Sequence, residues 1–88
     1  SDMLEPMVPL RVELFTRRGC HLCDDAKAEL QQLAYGLTFQ LVETDVDQDF
    51  ALQQAYGTLV PVVTVNGQRA SVLRLNIGAV RAALEGAR

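Results

Sequence analysis

The only two cysteines of this 88-residue chain stand three residues apart, in Cys20-His21-Leu22-Cys23. They fall at the seam between a strand-like run, Arg11-Val12-Glu13-Leu14-Phe15, and a helix-like run that begins at His21. A bridge between residues this close encloses almost no loop, so it cannot staple a chain that lacks a core. The fold must rest on apolar packing, and the thiol pair reads as catalytic or metal-binding rather than architectural. Apolar residues make up 49% of the chain, enough to exclude disorder and supply a modest core. One domain is the expectation at this length.

The remaining periodicities give an element order. Leu10 to Phe15 alternates apolar and polar, and Thr16-Arg17-Arg18-Gly19 breaks the alternation. From His21 to Ala34, Leu22, Ala26, Leu30 and Leu33 recur at helical spacing, and Gly36 closes that helix. Thr38 to Thr44 reads as a second strand. In the acidic turn that follows, Asp47 is positioned to cap a short helix over Asp49 to Tyr56, ended by Gly57. Phe50 and Tyr56 are expected in the core. Val62-Val63-Thr64-Val65 is a dense β-branched run, and Asn66-Gly67 is a two-residue hairpin signal leading to a strand over Gln68 to Val72. Asn76 caps a last helix, Ile77 to about Glu85, with Ile77, Val80 and Leu84 on one face. The order is β-α-β-α-β-β-α, an α/β class. Its first crossover makes strands one and two parallel, and its hairpin makes strands three and four antiparallel. A tail over residues 1–9 and one domain over residues 10–88 are expected.

Charge narrows the partners. The formal net charge is −3, with acids and arginines scattered. There is no basic stripe for nucleic acid and no long apolar segment for a membrane. No positive region followed by an apolar stretch marks a secretory signal, and with the cysteine usage this favours a cytoplasmic setting; a monomer is expected.

The element order, the C-x-x-C opening the first helix and Val60-Pro61 opening the third strand together resemble the thioredoxin-like fold. Within it, the short length and the absence of tryptophan resemble the glutaredoxin branch. Arg18-Gly19-Cys20-His21-Leu22-Cys23-Asp24 and Ala55-Tyr56-Gly57-Thr58-Leu59-Val60-Pro61 look like small bacterial glutaredoxin-like proteins. The resemblance implies a mixed four-stranded sheet flanked by helices, and a cis-proline at Pro61 packed against the thiol pair. It leaves the Val60 backbone free to pair with a bound substrate. The chain departs from the family at three places. His21-Leu22 replaces Pro-Tyr, Leu59 replaces a threonine, and Ser71-Val72-Leu73-Arg74 replaces a Gly-Gly-acid stretch. These positions hold glutathione in the family. No resident cofactor is expected, and glutathione as co-substrate stays open.

The nucleophile in disulfide exchange is a thiolate, and a free thiol titrates near about 8.5. Cys20, at the start of a helix, faces unpaired N–H groups and the positive dipole end, which favour its thiolate. Arg17 and Arg18 stand just upstream and add to that field, whereas Asp24 and Asp25 oppose it. Cys20 is therefore expected as the nucleophile and Cys23, one turn inward, as the resolving thiol. Arg17, Arg18, His21, Val60 and Pro61 are the expected substrate-facing residues, although a first-turn surface residue is the ordinary reading of His21 and a solvated loop charge that of at least one arginine. The expected partners are a disulfide in a protein or small molecule, and a thiol reductant or reductase. Two other classes stand beside this one. A metal or iron–sulfur module would need a dimer, since a closed zinc site takes four donors. A non-catalytic binding domain would keep the fold and a vestigial pair.

Overall fold

A computed structural model describes residues 10–87, so the expected tail over residues 1–9 lies outside the described residues. The elements run β1 (Arg11–Thr16), α1 (His21–Leu33), β2 (Gln40–Asp45), α2 (Phe50–Tyr56), β3 (Val62–Val65), β4 (Gln68–Val72) and α3 (Ile77–Ala87). A 3₁₀ turn over Val46–Gln48 separates β2 from α2. The four strands form one mixed sheet in the order β2-β1-β3-β4. β1 and β2 are parallel, and β3 is antiparallel to both β1 and β4.

The period of two in the strands sorts side chains onto two faces. Val12, Leu14, Val63 and Val65 join Ala26, Leu30 and Leu33 of α1 and Val80 and Leu84 of α3 in the main core. Phe15 and Val62 face the other way and pack with Val46, Leu52 and Tyr56. β3 is buried along its whole length because it is central and has a partner cluster on each face. The helix spacing in α1 does the same work, since Cys23, Ala26, Leu30 and Leu33 are its buried residues. The hairpin signal is met by Asn66 at φ 50° and Gly67 at φ 86°. Asn66 also ties the turn to β1, accepting from the Arg11 N–H through Oδ1 at 2.9 Å. Asn76 caps α3 through Oδ1 and the Ala79 N–H at 3.0 Å.

Two local expectations are corrected, the cap of α2 and the burial of Phe50. Asp49, not Asp47, caps α2, accepting from the Leu52 N–H at 3.1 Å. The 3₁₀ turn consumes Val46–Gln48, capped in turn by Asp45, and so moves the helix start past Asp47. Phe50 is 75% exposed rather than buried. α2 packs through Leu52 and Tyr56, and Phe50, two residues before Leu52, falls on the opposite side of so short a helix. Gly57 ends α2 as expected, as its C-cap, at φ −54° and so outside the left-handed region. Its glycine is required by crowding instead, because a Cβ there would lie 2.5 Å from the Gln53 carbonyl oxygen.

Candidate active site

Cys20 is the N-cap of α1, in extended conformation at φ −99° and ψ 108°. Its Sγ accepts the Cys23 N–H at 3.1 Å, the role a serine or aspartate oxygen plays at other helix starts. Three residues of helix bring the second thiol back over the first, with the Cα atoms 5.2 Å apart, within the range a disulfide requires. Cys20 and Cys23 are disulfide-bonded. Their exposures differ: Cys23 is 2% exposed, whereas Cys20 is partly exposed. A reagent from solvent therefore meets Cys20 first. Among the described residues, no group of three or more His, Cys, Asp or Glu side chains gathers to hold a metal ion.

The Val60–Pro61 peptide bond is cis, as the family resemblance implied. The sheet register brings this bond to the thiol end of the molecule. Phe15 is the register partner of Val62, so one step further Thr16 lies across from Pro61, and the loop to Cys20 leaves directly after Thr16. Pro61 is buried, whereas Val60 is only partly so. His21 is exposed on the first turn of α1.

The two upstream arginines part company. Arg17 holds Asp47 through two nitrogens, Nε at 3.1 Å from Oδ2 and Nη2 at 2.9 Å from Oδ1. Its Nη1 donates to the Gly57 carbonyl at 3.0 Å. Gln53 Nε2 adds a third donor to the same carboxylate at 3.0 Å. These hydrogen bonds, Arg17 first and Gln53 second, hold the Asp47 carboxyl below its ordinary value, and the same pairing raises the Arg17 guanidinium. Arg17 thus clasps the thiol loop to the turn before α2 and to the end of α2. Arg18 is exposed and forms no ion pair among the described residues.

Sequence reasoning overlooked the β2 side of the site. A cleft of about 410 Å³ is lined by Arg18, Gly19, Cys23 and Asp24 together with Glu43 and Asp45 of β2. Glu43 pairs with Lys27 of α1 at 3.0 Å, which accounts for that lysine. The signal available was the parallel pairing of β1 and β2, which sends the C-terminal ends of both strands toward the thiol loop.

Similarities to known proteins agree with this geometry. The family described as Glutaredoxin-like domain (DUF836) matches residues 11–85. An uncharacterized protein of Mycobacterium tuberculosis, Rv0508, is 31% identical over 77 residues, covering 82% of this chain and 79% of its own. Protein Ne2328 of Nitrosomonas europaea superposes with a TM-score of 0.79 at 26% identity, covering 90% of this chain and 95% of that one. A protein from X. campestris reaches a TM-score of 0.70 at 32% identity, covering 88% and 99%. A thioredoxin of Halobacterium salinarum, at 22% identity, TM-score 0.66 and coverage of 89% and 74%, shares the fold. With the family matched along nearly all of its length, and a redox-type disulfide at the start of the first helix, the chain belongs to the glutaredoxin-like domain family and has a thioredoxin-like fold.

Proposed function

We infer that the protein is a thiol–disulfide oxidoreductase with Cys20 as nucleophile and Cys23 as resolving thiol. The observation that carries this reading is the asymmetry of the pair, a partly exposed sulfur capping a helix and bonded to a buried one. In the reduced protein the N–H groups of the first turn face Cys20 Sγ and stabilise negative charge there. The Cys20 thiolate attacks one sulfur of a substrate disulfide. A Cys20–substrate bond forms, the substrate S–S bond breaks, and the leaving sulfur departs as a thiolate that takes up a proton. Cys23 then loses its proton and attacks Cys20 Sγ. The Cys20–Cys23 bond forms and the second substrate sulfur is released. The substrate gains two electrons and the protein loses two. A thiol reductant or a reductase returns the pair to the dithiol.

The substrate segment lies along Val60, whose N–H and C=O are unbonded among the described residues and suit pairing with an extended chain. Arg17 acts as a brace rather than as a substrate contact, because its nitrogens are already engaged. Arg18 and His21 remain the polar groups that a substrate meets.

Two variants test the assignment. Cys20→Ser abolishes exchange, and Cys23→Ser accumulates a mixed disulfide with substrate, both read by mass spectrometry. Equal alkylation rates for the two thiols across pH would sink the assignment. Stoichiometric metal with visible absorbance would point instead to a metal module shared between two copies. No measurable reduction potential would point to a non-catalytic binding domain.

A further inference from the structure

Among the described residues other than glycine, Asn66 and Leu73 adopt positive φ, at 50° and 60°. Asn66 is explained by the hairpin turn. Leu73 is not explained by local chemistry, because a γ-branched side chain is disfavoured in the left-handed region and this one is not rewarded by burial. It is 46% exposed. Its position is fixed by its N–H, which donates to the Leu59 carbonyl at 2.9 Å.

The register gives this exposed leucine a place. Val62 is the partner of Val72, and beyond that pair the Leu73 N–H bonds the Leu59 carbonyl, two residues before Pro61. Thr16 lies across from Pro61 on its other side. The row from the thiol loop to Leu73 therefore crosses the segment from Leu59 to Pro61 that leads into β3. Its surface around Pro61 is aliphatic, supplied by Leu59, Val60 and Leu73. Glycine or asparagine would fit the Leu73 backbone with less strain. A large aliphatic side chain held exposed on a left-handed backbone, next to the segment that leads into Pro61, is the kind of outlier from which function is inferred.

We propose that Leu73 is a specificity-determining residue for the exchange reaction set out above, on which this inference rests. It receives an aliphatic side chain next to the reactive cysteine of an extended protein segment lying along Val60. Such a segment matches both parts of the surface, backbone groups at Val60 and apolar area at Leu59 and Leu73. Glutathione, a charged tripeptide, offers no aliphatic side chain to this row.

The test uses the reduced protein in single-turnover mixing with two synthetic peptides, each closed by one disulfide. Leucine flanks the cysteine in one peptide and serine in the other, and glutathione disulfide is the third substrate. In each reaction the peptide disulfide becomes a dithiol and the protein dithiol becomes the Cys20–Cys23 disulfide, so no further reagent is needed. The native protein is expected to reduce the leucine peptide about tenfold faster than the serine peptide, the scale of one partly buried aliphatic side chain. Leu73→Gly suits the backbone, so the chain folds, and the ratio falls toward one because the leucine peptide slows. Leu73→Met keeps apolar reach and retains the ratio. An unaltered ratio in Leu73→Gly, equal slowing of both peptides, or glutathione disulfide outpacing both would overturn the proposal. Failure of the native protein with all three substrates would overturn the oxidoreductase reading beneath it as well.

Discussion

One face of the sheet is sealed by two long helices and the other by a single short one. On the first face α1 and α3 lay Ala26, Leu30, Leu33, Val80 and Leu84 against Val12, Leu14, Val63 and Val65. On the second, the seven-residue α2 contributes partly buried Leu52 and Tyr56 and has no fully buried residue of its own. What α2 lacks in apolar burial it gains in polar fastening. Arg17 reaches across from the thiol loop to Asp47 and Gly57, and Gln53 of α2 joins the same carboxylate. Phe15 and Tyr56 add an aromatic contact, with centroids 4.8 Å apart, of about 0.5 to 1.5 kcal/mol. The fold is therefore secured from the α1–α3 side, while the α2 side rests on directional bonds that hold a loop in place.

The sharpest way to break this contrast is one chemical change made on both faces. Leu30→Ala, at a fully buried position, is expected to cost about 2 to 5 kcal/mol. In a domain this small that lowers Tm by at least about 10 °C. Leu52→Ala, only partly buried on α2, is expected to cost about 1 kcal/mol, on the scale of partial aliphatic burial. Urea unfolding of the two variants decides the matter. Equal losses would mean that α2 is as deeply anchored as α1, and the contrast would fail.

A smaller effect is expected from the clasp. Arg17→Ala removes the paired nitrogens from Asp47 and the donor to the Gly57 carbonyl. Exposed ion pairs add little to global stability, so the unfolding midpoint is expected to move less than in Leu30→Ala. Amide exchange in the segment from Asp47 to Gly57 is expected to quicken severalfold, while α1 and α3 keep their protection. Arg17→Lys restores little, because a single ammonium cannot reproduce the planar fork. Uniform quickening over the whole chain would show that the clasp supports the core rather than the site.

The same contrast explains what the sequence disclosed. The thiol pair, the strand before it and the helix after it were legible because each has a local signature, and the structure places Cys20 at the N-cap. Asn66-Gly67 was legible for the same reason. The cis bond before Pro61 was legible only through family resemblance, since trans dominates X–Pro bonds. The α2 side is less legible. The Arg17–Asp47 pairing joins residues 30 positions apart, and no local pattern announces it. Asp47 was read as a cap because acids before helices usually are, but the 3₁₀ turn pre-empted that role and freed its carboxylate. Phe50 was read as core from its chemistry alone, and the short helix turned it outward. Nothing in the letters around Leu73 signals a left-handed backbone, because the residue types that prefer that region are absent there.

The smallest expected effect is a titration confined to the α2 side. The Arg17 hydrogen bond, then that of Gln53, lowers the Asp47 carboxyl below its ordinary value of 3.8. A carboxyl lowered in the folded state contributes its stabilisation fully above the unfolded value and loses it as pH falls through the folded one. Arg17, raised by the same partner, keeps its charge throughout this range. Acidification below about pH 4 is therefore expected to release the clasp through Asp47 alone. In amide spectra the signals of Asp47 to Gly57 are expected to shift before those of α1 and α3. Asp47→Asn removes the titrating group of the clasp, so the Arg17 Nε–H signal, which reports the clasp itself, should then hold nearly constant over the same range. Because the pair is exposed, the contribution shrinks with added salt. If the α2 signals moved together with the main core, or persisted unchanged in salt and in Asp47→Asn, the two faces would be one cooperative unit and the polar fastening of the site would carry no separate weight.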